Sequence, residues 1–235
     1  MNLLESIVTT QTDHFVTVPE TTLPGGLLVP TFQIGVYAAT RGEDGKATVR
    51  ADGAPWVEIN YRDAKRACEA AGYAAITETQ WLAVAYNASQ VASNWTGGKV
   101  GEGELFQGIR NWHVNSAQPG NCEPTDLSER RWLTLSNGEQ VCDLNGNVYQ
   151  WVVDDVQGDT EGIIARPFAS DSPSRTTPPY PNRTHGMGDT TTGDWSSRAL
   201  LRGGCWFSES LAGAFALSYD GPDGASGVVG FRCTK

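Results

Sequence analysis

Thiols, imidazoles and guanidinium groups are the side chains of this chain that could carry metal or nucleophilic chemistry, and their spacing limits both. The cysteines are Cys68, Cys122, Cys142, Cys205 and Cys233, an odd set with no Cys-x-x-Cys pair. Zinc sites draw their thiolates from close pairs, so most of these thiols are expected to be buried and inert. His14, His113 and His185 lie far apart in the sequence, which leaves little material for a histidine-rich centre. A nucleophilic cysteine needs positive charge beside it to hold the thiolate. Near Cys205 only Arg202 is close in sequence, which is little positive charge for that role.

The elements that must position such residues are short. Asn60 reads as the N-cap of a helix with Asp63 in its first turn, an apolar face of Ala64, Ala67, Cys68 and Ala71, and a stop at Gly72. Thr77-Glu78-Thr79-Gln80 has the pattern of a capping box, and Trp81, Val84 and Ala85 share a face of the helix it would open. After about Ala92 the helical period is lost. Asn137-Gly138 then marks a hairpin between Trp132–Leu135 and Gln140–Cys142. Gln157 to Arg198 is a Pro-, Thr- and Gly-rich loop of the kind that is functional or mobile. Three strand candidates follow: Leu200–Arg202, Ala214–Leu217 and Val228–Cys233. Residues 1–30 read as an N-terminal arm or edge strand and 31–235 as one domain. The class is α+β, two helices plus antiparallel sheets with long loops.

Composition excludes several functions. The chain has 235 residues, enough for one sizeable core, and eight tryptophans to anchor it. Seventeen basic against 27 acidic residues give a net charge of −10, and no basic cluster offers a phosphate backbone its counter-charge, so nucleic acid is not an expected partner. No apolar run approaches the roughly 20 residues of a spanning helix, so membrane insertion is not expected. The first residues, MNLLESIVTT, lack the positive start of a signal peptide, which points to synthesis in the cytoplasm.

Motifs in a fixed order add a resemblance. They are Trp56-Val57-Glu58-Ile59-Asn60-Tyr61-Arg62-Asp63-Ala64, Ile76-Thr77-Glu78-Thr79-Gln80-Trp81, Gly146-Asn147-Val148-Tyr149-Gln150-Trp151, Arg202-Gly203-Gly204-Cys205-Trp206 and Gly230-Phe231-Arg232. Over about residues 32–235 the chain resembles the formylglycine-generating-enzyme-like (sulfatase-modifying factor) branch of the C-type lectin fold. The residues also have a direct reading: Val148 and Trp151 anchor the core, Gly203 and Gly204 permit close backbone approach, and Arg202 and Arg232 partner buried acids. The family's chemistry does not carry over with the motifs. Its oxidase members place two cysteines between Arg-Gly-Gly and Gly-Phe-Arg, where this chain has only Cys205, and Cys233 follows Gly-Phe-Arg. Some members hold calcium around Gly-Asn-Val-Trp-Glu. Here the corresponding positions are Asn147, Val148 and Gln150, and an amide in place of the carboxylate weakens the site. No resident cofactor is therefore expected, with calcium the one weak candidate.

The stretch from Cys205 to Gly230, CWFSESLAGAFALSYDGPDGASGVVG, resembles the variable region of diversity-generating retroelement proteins. In that family a reverse transcriptase mutates template adenines, and asparagine codons become Phe, Tyr, Ser, Cys, Asp, Gly, Ala or Val but never Lys, Glu, Gln, Met or Trp. By this rule Cys205, Phe207, Ser208, Ser218, Tyr219, Asp220, Gly224, Gly227 and Val228 are candidate variable, ligand-contacting residues in a variable region of about 202–232. Trp206 and Glu209 are fixed. Arg202, Gly203, Gly204, Trp206, Gly213, Phe215, Leu217, Phe231 and Arg232 form the scaffold, and Glu209, Tyr180 and Trp195 frame the site. Tyr and Phe supply rigid contact area while Ser, Gly and Asp supply adaptable hydrogen bonding, the composition logic of a paratope. The resemblance implies a virus- or mobile-element-encoded binding protein, shown on a virion or cell surface, whose partner is a host surface protein or glycan. It also allows a homo-oligomer or attachment to a virion. Two alternatives are a formylglycine-type oxidase using Cys205 as nucleophile or copper ligand, and a structural tail or adhesin protein with a fixed surface.

Overall fold

Local signals set both main helices. In the computed structural model, which describes residues 12–177, 181–190 and 193–235, α1 (Tyr61–Ala70) opens where the Asn60 side chain accepts the Asp63 N–H at 2.8 Å. Its chain leaves through Gly72 at φ +79°. α2 (Glu78–Ser89) opens with both halves of the Thr77/Gln80 capping box in place. A third helical turn, α3 (Pro173–Thr176), lies in the long loop.

The strands are short. They are β1 (Phe15–Val18), β2 (Thr21–Thr22), β3 (Leu28–Val29), β4 (Phe32–Gly35), β5 (Thr40–Arg41), β6 (Ala47–Thr48) and β7 (Ala74–Ala75), then β8 (Trp132–Thr134), β9 (Gln140–Cys142), β10 (Tyr149–Val152), β11 (Ala199–Gly203), β12 (Gly213–Asp220), β13 (Val229–Phe231) and β14 (Cys233–Thr234). One sheet has the order β1-β4-β14-β7 and a second the order β12-β11-β10-β13; β2–β3, β5–β6 and β8–β9 are hairpins. The Asn137-Gly138 turn joins β8 to β9, with Gly138 at φ +88°.

The sequence leads one to expect antiparallel pairing throughout, and one pair differs. β13 runs parallel to β10, with Tyr149 opposite Val229 and Trp151 opposite Phe231. The cause is the path after β12: residues 221–228 carry the chain back along the sheet, so β13 starts level with the start of β10. Within the segment read as arm or edge strand, β1 pairs with β4, and Asp13 accepts the Val49 N–H at 2.7 Å. Residues 1–11 lie outside the described residues.

The second sheet is covered on both faces. Val152, Leu200, Phe215 and Leu217 pack with Trp81 of α2, while Trp151, Leu201 and Phe231 pack with Tyr61 and Cys68 of α1. This is the period-two alternation of a strand buried on both sides. The two indoles that flank this sheet keep their N–H paired, Trp81 with the Ala214 carbonyl at 2.8 Å and Trp151 with the Ile59 carbonyl at 3.0 Å. Among the described residues no helix is long and apolar enough to cross a membrane.

Candidate functional site

β11 ends in the Arg202-Gly203-Gly204 turn, and everything beyond it depends on how that turn is fixed. Arg202 is fully buried and donates through Nε and Nη2 to both oxygens of Glu78, through Nη1 to the Phe215 carbonyl at 3.0 Å, and through Nη2 to the Ser174 carbonyl at 3.1 Å. Burial pushes the Glu78 carboxyl up from its ordinary value, and Arg202 pulls against that shift. Gly203 and Gly204 sit at φ +91° and +83°. A Cβ on Gly204 would come within 2.6 Å of the Ala212 Cα, so both the backbone angle and the space demand glycine.

Arg232 is equally buried but is held differently from the sequence expectation. It donates to the Gly35, Val36, Cys142 and Asp143 carbonyls at 2.7–3.0 Å and to the Gln150 Oε1 at 2.8 Å. No carboxylate oxygen is among these acceptors, which corrects the reading of Arg232 as the partner of a buried acid. Burial pulls its pKa down to about 10, which leaves it charged at neutral pH.

These bonds also bear on calcium. Gln150 spends its Oε1 on Arg232 and its Nε2 on the Asp143 carbonyl. The Asn147 Oδ1 accepts the Gln118 N–H, and its Nδ2 donates to Gln118 O and Asp143 Oδ2. The side-chain oxygens a cation would need are taken, one of them by a guanidinium, so Asn147, Val148 and Gln150 do not fit a calcium site.

The nine candidate contact residues fall into distinct places. Phe207 stacks on Trp112 with ring centroids 4.8 Å apart, and Trp206 meets both rings edge-on at 4.7 and 5.4 Å. Trp112 is 59% exposed and adopts φ +62°, held by its N–H on the Trp206 carbonyl. Sequence reasoning missed Trp112, because it lies in the irregular segment before β8 and meets Phe207 only through the fold.

Cys205 and Ser208, immediately on either side of these aromatics, are buried. The Ser208 Oγ accepts the Cys205 N–H at 2.9 Å and lies 3.3 Å from its sulfur. Burial pushes the Cys205 thiol up, so it is a resting thiol in the interior rather than a surface contact. Cys233 has Cys68 as its neighbour instead, the two sulfurs 3.2 Å apart.

On β12 the register separates three neighbours. Ser218 lies opposite Leu201 and Asp220 opposite Ala199, on the face of Trp151. Tyr219 lies opposite Leu200 on the other face and meets Trp195 at 4.7 Å, with Phe168 beyond. Trp195 thus touches a candidate residue, while Tyr180 lies outside the described residues. Ser218 lines a cleft of about 160 Å³ with Tyr149, Ala216 and Leu211. Gly224, Gly227 and Val228 belong to the return loop, which is tied to the start of α1 by Tyr61 N–H on the Pro222 carbonyl and Glu58 N–H on the Ser226 carbonyl. Glu209 is exposed at φ +50°, its N–H on the Arg110 carbonyl, at the rim next to the aromatic trio. The structure therefore gathers an aromatic patch, a cleft and a loop along the second sheet, with Tyr219 on the opposite face.

Comparison with solved structures places the chain near CarF, with a TM-score of 0.51 at 12% identity over 95% of this chain and 98% of that one. It is also similar to the Major Tropism Determinant M1 variant, with 0.49 at 13% over 92% of this chain and 51% of that one, and so spans about half its length. Treponema denticola variable protein 1 matches with 0.46 at 14%, covering 94% of each chain. Comparison with curated proteins gives no match. The family model described as the sulfatase-modifying factor enzyme 1-like domain matches residues 7–235, the whole of the fold and site described above, and the chain belongs to that family.

Proposed function

We propose that this chain is a ligand-binding protein whose C-terminal segment forms a recognition surface rewritten by a retroelement. One observation carries the reading: Phe207 and Trp112 form a partly exposed aromatic stack directly beyond a turn fixed by the Arg202–Glu78 pair. Aromatic area on a rigid base binds at little entropic cost, and small polar residues around it adapt to the partner. The partner class is a protein or glycan on a host surface, met by a molecule displayed on a virion or cell surface, either as a homo-oligomer or attached to a larger particle.

An oxidase of the formylglycine-generating type is not favoured, because the Cys205 thiol is interior and pushed up by burial, and Cys233 lies beside Cys68 instead.

Deep sequencing of the gene end across the source population tests the proposal. Variation confined to the codons of Cys205, Phe207, Ser208, Ser218, Tyr219, Asp220, Gly224, Gly227 and Val228 is expected, with only small residues at the buried positions 205 and 208. Trp206 and Glu209 should stay constant. An invariant gene end would overturn the diversified reading and leave a protein with a fixed surface. With a partner in hand, joint substitution of Phe207, Tyr219 and Asp220 should abolish binding.

A further inference from the structure

The segment between α2 and β8 holds three groups that the recognition surface does not use. His113 Nδ1 faces Asp126 Oδ2 at 3.7 Å and Glu129 Oε2 at 3.8 Å, and the ligand atoms of the trio all lie within 4.8 Å of one another. These separations are too long for direct hydrogen bonds. They are close to the roughly 3.4 Å that separates two ligands held about 2.1 Å from one tetrahedral ion.

The carboxylates are aimed from outside the trio. Glu129 has a side chain only 1% exposed. Its Oε1 accepts the backbone N–H groups of Arg110 and Asn111 at 2.7 and 2.8 Å, which turns the second oxygen towards His113. Asp126 Oδ1 accepts the Ser128 N–H at 2.8 Å, and its Oδ2 the Asn111 amide at 3.3 Å. Outer partners of this kind fix the direction of metal-ligating carboxylates. The imidazole is the exposed and adjustable member, and Asp126, part-exposed, moves towards the fixed Glu129 as the ion draws the trio in from its spread of 4.8 Å.

We infer that His113, Asp126 and Glu129 bind a divalent transition ion, Zn²⁺ by the chemistry of the ligands. One imidazole nitrogen with two carboxylates suits that ion, whereas calcium takes six or more oxygens. Three protein ligands leave a fourth position for water. Bound there, the ion ties Arg110–His113 to Asp126–Glu129 across an irregular segment and steadies Trp112, which immediately precedes His113.

Equilibrium dialysis of the full chain against Zn²⁺, with Co²⁺ absorption as a second readout, tests this. A single saturable ion per chain is expected, bound at least about tenfold more weakly after His113→Ala or Asp126→Asn. His185→Ala should leave it unchanged. Both substituted side chains are on or near the surface, and circular dichroism checks that the variants fold. The inference is overturned if the parent binds no ion saturably, or if His113→Ala binds as tightly as the parent. It is likewise overturned if the Co²⁺ adduct shows thiolate-to-metal absorption that Cys122→Ser removes.

Discussion

Arg202 and Arg232 bracket the C-terminal segment, both fully buried, yet they are neutralised by different means. Arg202 meets a carboxylate, Glu78, in a two-pronged pair. Arg232 meets only dipoles: backbone carbonyls and the Gln150 amide. The pair around Arg202 ties the Arg202-Gly203-Gly204 turn to α2, and the carbonyl cage around Arg232 ties β13 and β14 to β4 and to the turn after β9. A buried ion pair costs most when one member is removed, because the other is left charged and dry. A cage of dipoles leaves no charge behind, and two of its members keep other donors: Val36 O accepts the Cys142 N–H, and Asp143 O the Gln150 amide.

The sharpest test of this contrast is Arg202→Met, expected to cost about 3–5 kcal/mol in urea unfolding at neutral pH. The loss should depend on pH in a defined direction. Glu78 already has a folded pKa above its ordinary 4.5, and without Arg202 that pKa rises further. A raised folded pKa gives a contribution that is present below the unfolded value and lost as pH rises through the folded one, so the variant should recover stability on acidification towards pH 4.5. Arg232→Met should cost about 1–3 kcal/mol for each buried acceptor it leaves unpaired, without that acid rescue. Equal pH profiles would break the comparison.

Gln150→Glu supplies Arg232 with the carboxylate it lacks but removes the donor to the Asp143 carbonyl. The two effects oppose, and a change within about 1 kcal/mol is expected. The smallest effect belongs to the return loop. At Gly227 a Cβ would meet nothing closer than the Glu58 carboxylate at 3.9 Å, so Gly227→Ser should stay within about 0.5 kcal/mol of the parent. A large loss there would show that the loop is part of the scaffold.

Much of the fold was legible because its signals are local. Asn60, the Thr77/Gln80 box and Asn137-Gly138 each act within a few residues, and two of the C-terminal strands, β11 and β12, fall where their apolar runs stand, whereas the run Val228–Cys233 divides into β13 in the second sheet and β14 in the first. Less local facts were not. The parallel entry of β13 depends on the path of residues 221–228, and the place of Trp112 depends on a contact across nearly a hundred residues of chain. The split between Ser218 and Tyr219 was available from the alternation of side chains along a strand: consecutive residues cannot share a face. The burial of Cys205 and Ser208 was hidden, since both are small residues whose position is decided by the glycine turn before them. Arg232 showed only that a charge needed neutralising, and carbonyls do not appear in a sequence.

β14 lies between β4 and β7 in the first sheet, and its residues are buried, as are Phe231 and Arg232 before it. The codons for this interior follow those of the surface segment in the gene. A base gained or lost anywhere between positions 205 and 228 would therefore rewrite not only the exposed loop but also Phe231, Arg232 and a central strand. Such a product could not complete either sheet, whereas a base exchanged for another leaves the downstream interior intact. The ability to fold thus acts as a check on reading frame, passing substitutions at the surface and discarding slips in the message.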